Sequence, residues 1–146
     1  MSRATFNVAV DIDAPPERVF AVLCDVERWP EWTSSMTSVQ RLDRGAFGVG
    51  AKARIVQPKL LPATWQVTEL QQDRSFTWVA SSPGVQIKAG HFVEAEGAGS
   101  RGSLSIEFGG FLGSIVGRLY RGLIDQYLHT EAQGLKRRSE EKSAAS

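Results

Sequence analysis

What this sequence has little of narrows the field first. It holds one cysteine, Cys24, and two histidines, His91 and His129. A single thiol closes no internal disulfide, so a reducing cytoplasm is the expected setting. These few residues also show no ligand spacing for zinc, and no metal is expected. Neither sign of charge dominates: 17 Lys+Arg against 16 Asp+Glu leave a formal net charge of +1, too small a field to draw nucleic acid or an anionic membrane. No apolar run approaches the roughly 20 residues of a membrane span, so no integral membrane segment is expected, and the N-terminus lacks a signal-peptide core. Phosphate-binding motifs are missing too. The glycine-rich run Asp43–Gly50 has no Gly-Lys-Ser/Thr and does not lead from a strand into a helix, so it reads as a hairpin connector and no cofactor is expected. There are no internal repeats, and nothing fixes an oligomeric state.

What is present suits one globular domain. At 146 residues, with 42% hydrophobic and 23% charged side chains, the chain can bury a core. Residues 1–138 read as a single domain and 139–146 as a solvated tail. Phe6, Val8, Val10 and Ile12 alternate with polar or small residues, a half-buried strand. Asp13-Ala14-Pro15-Pro16-Glu17 starts a helix, with Asp13 or Ala14 as cap and proline in the first turn. Val19, Phe20, Val22 and Leu23 give that helix one apolar face. Cys24 lies in the same pattern and reads as buried filler rather than a reactive thiol. A second short helical piece carries Trp29-Pro30-Glu31-Trp32, whose tryptophans wedge the helical pair against a sheet or form a recognition patch.

From Met36 the period changes to two. Met36–Leu42, Ala51–Gln57, Ala63–Leu70, Ser75–Ser81, Val85–Glu94 and Gly102–Phe108 read as strands with short turns, hence an antiparallel meander. Gly97–Arg101 is one of those turns. The alternation puts Trp65 with Val67, then Phe76, Trp78 and Ala80, then Val85, Ile87, Ala89, His91 and Val93, then Leu104, Ile106 and Phe108 on one face. Glu107 falls on the other.

An apolar stripe then runs from Phe111 to Arg138, about 40 Å at ~1.5 Å per residue if it is one helix. Begun at Leu112, such a helix groups Ile115, Val116, Leu119, Tyr120, Leu123, Ile124, Tyr127 and Thr130 against Arg118, Arg121, Asp125 and His129. So wide an arc suits a helix gripped by a bent sheet. Lys136, Arg137 and Arg138 read as its fraying, solvated end. A bent sheet need not fill its centre, and a ligand-sized cavity is expected with Trp65, Phe76, Trp78, Ile87, His91, Ile106, Leu119, Leu123 and Tyr127 on its walls. Alternating loops gather Trp32, Leu60, Leu61, Pro83 and Phe111 at one end as its mouth. Leu60 and Leu61 are a greasy lip or ordinary surface residues.

The motifs Ile12-Asp13-Ala14-Pro15-Pro16-Glu17-Arg18-Val19-Phe20, Trp29-Pro30-Glu31-Trp32, Gly50, Trp65-Gln66-Val67-Thr68-Glu69-Leu70 with Phe76-Thr77-Trp78, and His91-Phe92-Val93-Glu94 resemble the START-like polyketide cyclase/dehydrase and lipid-transport superfamily. The similarity runs over about residues 4–138. It implies an α+β helix-grip fold, a seven-stranded curved antiparallel sheet around a long C-terminal helix, with two short helices between the first two strands. It also implies a cavity for a hydrophobic small molecule or lipid.

Three functions fit these expectations. The first is a binding or carrier protein for a hydrophobic or aromatic small molecule, favoured by the scarcity of ionisable groups on the inward face. The second is a polyketide cyclase or aromatase-type enzyme, with His91 as acid/base and Tyr120 or Tyr127 as donor. No carboxylate is on hand to hold the His91 imidazole. The third is a protein-interaction module using Leu60-Leu61 and Lys136–Arg138.

Overall fold

The structure, a computed structural model, describes residues 4–141. In chain order the elements are β1 (Ala4–Ile12), α1 (Pro16–Cys24), a 3₁₀ helix (Val26–Glu31), β2 (Ser38–Arg41), β3 (Lys52–Val56), β4 (Ala63–Gln71), β5 (Ser75–Ser82), β6 (Val85–Glu96), β7 (Gly99–Gly109), α2 (Gly113–Leu119) and α3 (Arg121–Glu140). The strands form one antiparallel sheet in the order β1-β7-β6-β5-β4-β3-β2. It is a meander from β2 to β7 whose last strand returns to pair with β1, from Ala4 opposite Phe108 to Ile12 opposite Ser100. This is the helix-grip architecture, with the helices on the concave face.

Local chemistry explains where the strands turn and bend. Glu96 pairs with Gly99, so β6 and β7 join through Gly97-Ala98 alone. Gly97 sits at φ 59°, a left-handed value that glycine adopts without a steric penalty. The expected turn Gly97–Arg101 is therefore shorter, and β7 starts earlier. In β4 the register steps from Val67–Trp78 to Glu69–Thr77. The extra residue, Thr68, bends the strand and helps the sheet curl. The expected strand Met36–Leu42 shrinks to Ser38–Arg41, with Met36 turned into the core.

The start of α1 differs from the capping expected at Asp13 or Ala14. Pro15 occupies the cap position and no side chain caps the helix. The Asp13 amide instead donates to Glu140 Oε2, 2.8 Å away at the far end of the chain, and Ser100 Oγ donates to Ala14 O at 2.6 Å.

The single helix expected from Phe111 to Arg138 is two. Tyr120, at φ −103° and ψ 11°, separates α2 from α3. The inward positions of α2 are Gly113 and Gly117, both buried, and Gly117 lies against Ala4 and Phe108. With glycine inside, the apolar Ile115 and Leu119 point outward, Leu119 being 76% exposed. Two glycines within seven residues also weaken the helix intrinsically. At the other end α3 runs to Glu140 with Ser139 buried, past the point where a solvated tail was expected. The rest of that expected tail, 142–146, lies outside the described residues.

The basic residues there are occupied rather than merely solvated. Lys136 Nζ donates to Asp11 O at 2.9 Å and pairs with Glu140, Arg137 donates to Trp32 O at 2.9 Å, and Arg138 pairs with Glu31 at 2.6 Å. Arg18 donates to Ser139 O and Glu141 O. Gly134 allows the close approach behind this: a Cβ there would collide with the Trp32 carbonyl oxygen. The C-terminal half of α3 is thus clamped to β1, α1 and the 3₁₀ helix.

Candidate functional site

Between the clamped helix and the sheet, one end of the grip is solid. Trp29 and Trp32 are both buried, as wedges rather than an exposed patch. The Trp29 indole donates to Leu23 O at 3.0 Å and meets Trp78 edge-on at 5.3 Å. Phe76 stacks on His91 at 4.1 Å, and Phe47 from the glycine-rich loop meets Phe76 edge-on at 5.0 Å. These contacts leave Phe76 with 0% exposure. Cys24, beside this cluster, has its thiol pushed up to about 12, by burial first and then by Asp73. That keeps it protonated and unreactive at neutral pH.

The other end is open. Moving along β5 from Phe76 through Trp78 to Ala80, and along β6 from His91 through Ala89 to Ile87, leads into a cavity of about 500 Å³. Its floor is Trp65, Ala80, Ile87, Ile106 and Phe108 from the sheet. Its roof is Val116, Tyr120, Ile124, Tyr127 and Leu128 from the helices, and Leu60, Leu61 and Pro62 of the β3–β4 loop form its lip. The Tyr127 hydroxyl donates to Pro58 O and ties that lip to α3. A recess of about 40 Å³ continues inward past Trp65 and Ile106 to Trp78, Ala89 and His91.

One side chain at the junction was not foreseen. Glu131 lines both the cavity and the recess. Its Oε2 accepts from Ser35 Oγ at 2.7 Å, and Ser35 Oγ is bonded to Thr33 Oγ1 at 2.8 Å. Burial pushes the carboxyl up to about 7, partly opposed by the Ser35 bond. The interior is therefore not free of chargeable groups. The signal was present: Glu131 is seven residues after Ile124 and four after Tyr127, on the same helix face.

The sequence-predicted residues separate by place. Trp65, Ile87, Ile106 and Tyr127 meet around the cavity, with Leu60 and Leu61 at its lip. Trp78 and His91 face the recess, while Phe76 reaches neither space. Leu119 and Leu123 are absent from the cavity walls; Leu119 points outward because α2 turns its glycines inward. Trp32, Pro83 and Phe111 are absent from the mouth: Trp32 is buried beside Trp29, while Pro83 and Phe111 stand exposed. Of the candidate acid/base groups, Tyr120 is on the cavity wall and the Tyr127 proton is committed to Pro58. His91 bonds through Nδ1 to Phe76 O at 3.1 Å, so Nδ1 is the donor. Burial lowers its pKa to about 4, with the Phe76 bond opposing, and the imidazole is neutral.

Among the described residues, no helix is long and apolar enough to cross a membrane and no group of His, Cys, Asp or Glu is arranged to hold a metal ion. Comparison with solved structures finds the same fold in many proteins, among them three of low identity. They are Ara h 8.0201 (TM-score 0.74, 14% identity, 94% of this chain and 98% of that one), a Thermus thermophilus protein (0.74, 19%, 93% and 97%) and the Zhui aromatase/cyclase of Streptomyces sp. R1128 (0.77, 16%, 98% and 98%). Uncharacterised proteins of Mycobacterium tuberculosis and Mycobacterium bovis are 38% identical over 52 residues, 36% of this chain and 30% of their own length. The family described as polyketide cyclase/dehydrase and lipid transport matches residues 3–140, and the chain belongs to that family.

Proposed function

We propose that the protein binds and carries a hydrophobic or aromatic small molecule in the cavity beneath α2 and α3. The observation that carries this reading is a space of about 500 Å³ walled mainly by apolar and aromatic side chains and open at one lip. Pockets of that size and lining suit small-molecule ligands. Trp65, Ile87, Ile106 and Tyr127 are the proposed contacts, and Leu60 and Leu61 the residues a ligand passes on entry. The family's description includes lipid transport, which agrees with this reading. Native mass spectrometry of the purified protein against a library of apolar compounds tests it. A retained or acquired one-to-one adduct is expected, and no uptake of any member removes the proposal.

A second reading has one observation behind it, the Glu131 carboxyl near neutrality inside the cavity. A group titrating near the working pH is suited to removing a proton beside a carbonyl, as cyclisation or dehydration of a polyketide-like chain requires. His91, neutral and held by Phe76, is the weaker base. The readings separate on Glu131→Gln: loss of a turnover with uptake retained selects the enzyme.

A further inference from the structure

The polar atoms around the cavity are unevenly spent. Gln57 Nε2 donates to Ser35 O at 3.3 Å, and the Tyr127 hydroxyl proton goes to Pro58 O. Ser35 gives its proton to Glu131 Oε2. The donors beside Glu131 are thus in use, while acceptor capacity remains there. Among the described residues Glu131 Oε1 takes no hydrogen bond, and the side-chain oxygen of Gln57 is likewise without a donor. The Trp65 indole N–H and the Tyr120 hydroxyl are further donors on the walls, and the hydroxyls of Thr64, Ser81 and Ser82 belong to exposed residues near the lip. No lysine or arginine lines the cavity. Above about pH 7, where Glu131 is ionised, an anionic head placed beside it would therefore meet a like charge with no cation to offset it.

We infer that the ligand is an amphipath whose hydrogen-bond-donating head, a primary amine or an alcohol, seats against the Glu131 carboxyl. This rests on the carrier reading and names its ligand class. The apolar body then lies along Ile87, Ile106 and Val116 toward Leu60 and Leu61. The carboxyl is aimed before the ligand arrives, because Ser35 and Thr33 hold its other oxygen. A head that donates completes the open Oε1 of Glu131; a carboxylate head facing the ionised carboxyl cannot. The elevated proton affinity of Glu131 agrees with a carboxyl that has no cation beside it in the free protein.

The test is calorimetric titration at about pH 8.5, where Glu131 is ionised, with three compounds sharing one body: naphthylmethylamine, naphthylmethanol and naphthoate. The amine and alcohol are expected to bind, with naphthoate at least tenfold weaker than the better of them. Glu131→Gln should then reduce that preference to less than threefold. An amine well above the alcohol identifies charge pairing; equal affinities identify a neutral hydrogen bond. Naphthoate binding as tightly as the other two overturns the inference and leaves the carrier reading standing, as does a preference unchanged in Glu131→Gln. No binding by any of the three overturns both. The ranking in the unaltered protein decides even where Glu131→Gln does not fold.

Discussion

The same strands are packed on different terms at their two ends. Toward one end of β5 and β6, Phe76 and His91 stack beneath Trp29 and Phe47, leaving only a recess of about 40 Å³. Four residues along the same strands, Ala80 and Ile87 face empty space under Val116 and Tyr120. Backbone curvature is common to both ends. What differs is the size of the inward side chains and the hold on the helix above them. Aromatics fill one end, and the clamp of Lys136, Arg137 and Arg138 holds α3 down on it. At the other end alanine replaces aromatic rings and the helix breaks at Tyr120. A cavity thus arises where the chain stops supplying volume.

Truncation should break the symmetry of this comparison most sharply. Phe76→Ala empties a site that cannot collapse and is expected to cost about 3–5 kcal/mol in urea unfolding. Ile87→Ala, whose side chain already borders open space, should cost under about 2 kcal/mol. Equal losses would mean that the two ends are packed alike.

Titration gives the next largest effect, because each end buries one ionisable group of opposite kind. Glu131 titrates at 4.5 in the unfolded chain and at about 7 when folded. Between those values the folded protein keeps a proton the unfolded chain has lost, so stability falls as pH rises. His91 titrates at 6.5 unfolded and about 4 folded. There the folded protein lacks a proton that the unfolded chain has taken up, so stability falls as pH drops. The two slopes offset each other between pH 4.5 and 6.5. Glu131→Gln leaves the His91 slope alone, and its stability should rise with pH by on the order of 3 kcal/mol over that window. Urea melts across the range check this, and a slope equal to that of the unaltered protein would contradict it.

Filling the space sharpens the contrast from the other side. Ala89→Leu must push into a recess of about 40 Å³ and should destabilise by about 1–3 kcal/mol. Ala80→Leu extends into the open cavity and should change stability by less than about 1 kcal/mol. The smallest effect is at the lip. Tyr127→Phe removes the bond to Pro58 O, which should cost about 1 kcal/mol and speed amide exchange in the β3–β4 loop.

Much of this was legible beforehand, and the failures share a cause. Period-two alternation placed the inward rows of β4 to β7, and the motifs carrying the family resemblance pointed to the helix grip that the fold shows. The C-terminal helix misled because inward was equated with apolar. The true inward row runs Gly113, Gly117, Tyr120, Ile124, Tyr127 with Leu128 beside it, Glu131 and Leu135, at steps of three and four. Glycine and glutamate carry no hydrophobic signal, so α2 was read with Ile115 and Leu119 inside and Glu131 was missed. Both errors fall at the cavity, where volume is withheld and a polar group is admitted. The long-range bonds of Asp13, Arg18 and Lys136 depend on which ends of the chain meet, and no local pattern encodes that.

The claim underneath all of this is that the empty end of the grip is a ligand site, and fluorescence titration with N-phenyl-1-naphthylamine tests it most directly. Saturable, one-to-one enhancement in the unaltered protein, lost in a folded Ala80→Leu variant, is the predicted result. No enhancement, or enhancement of the same size and affinity in Ala80→Leu, would contradict it.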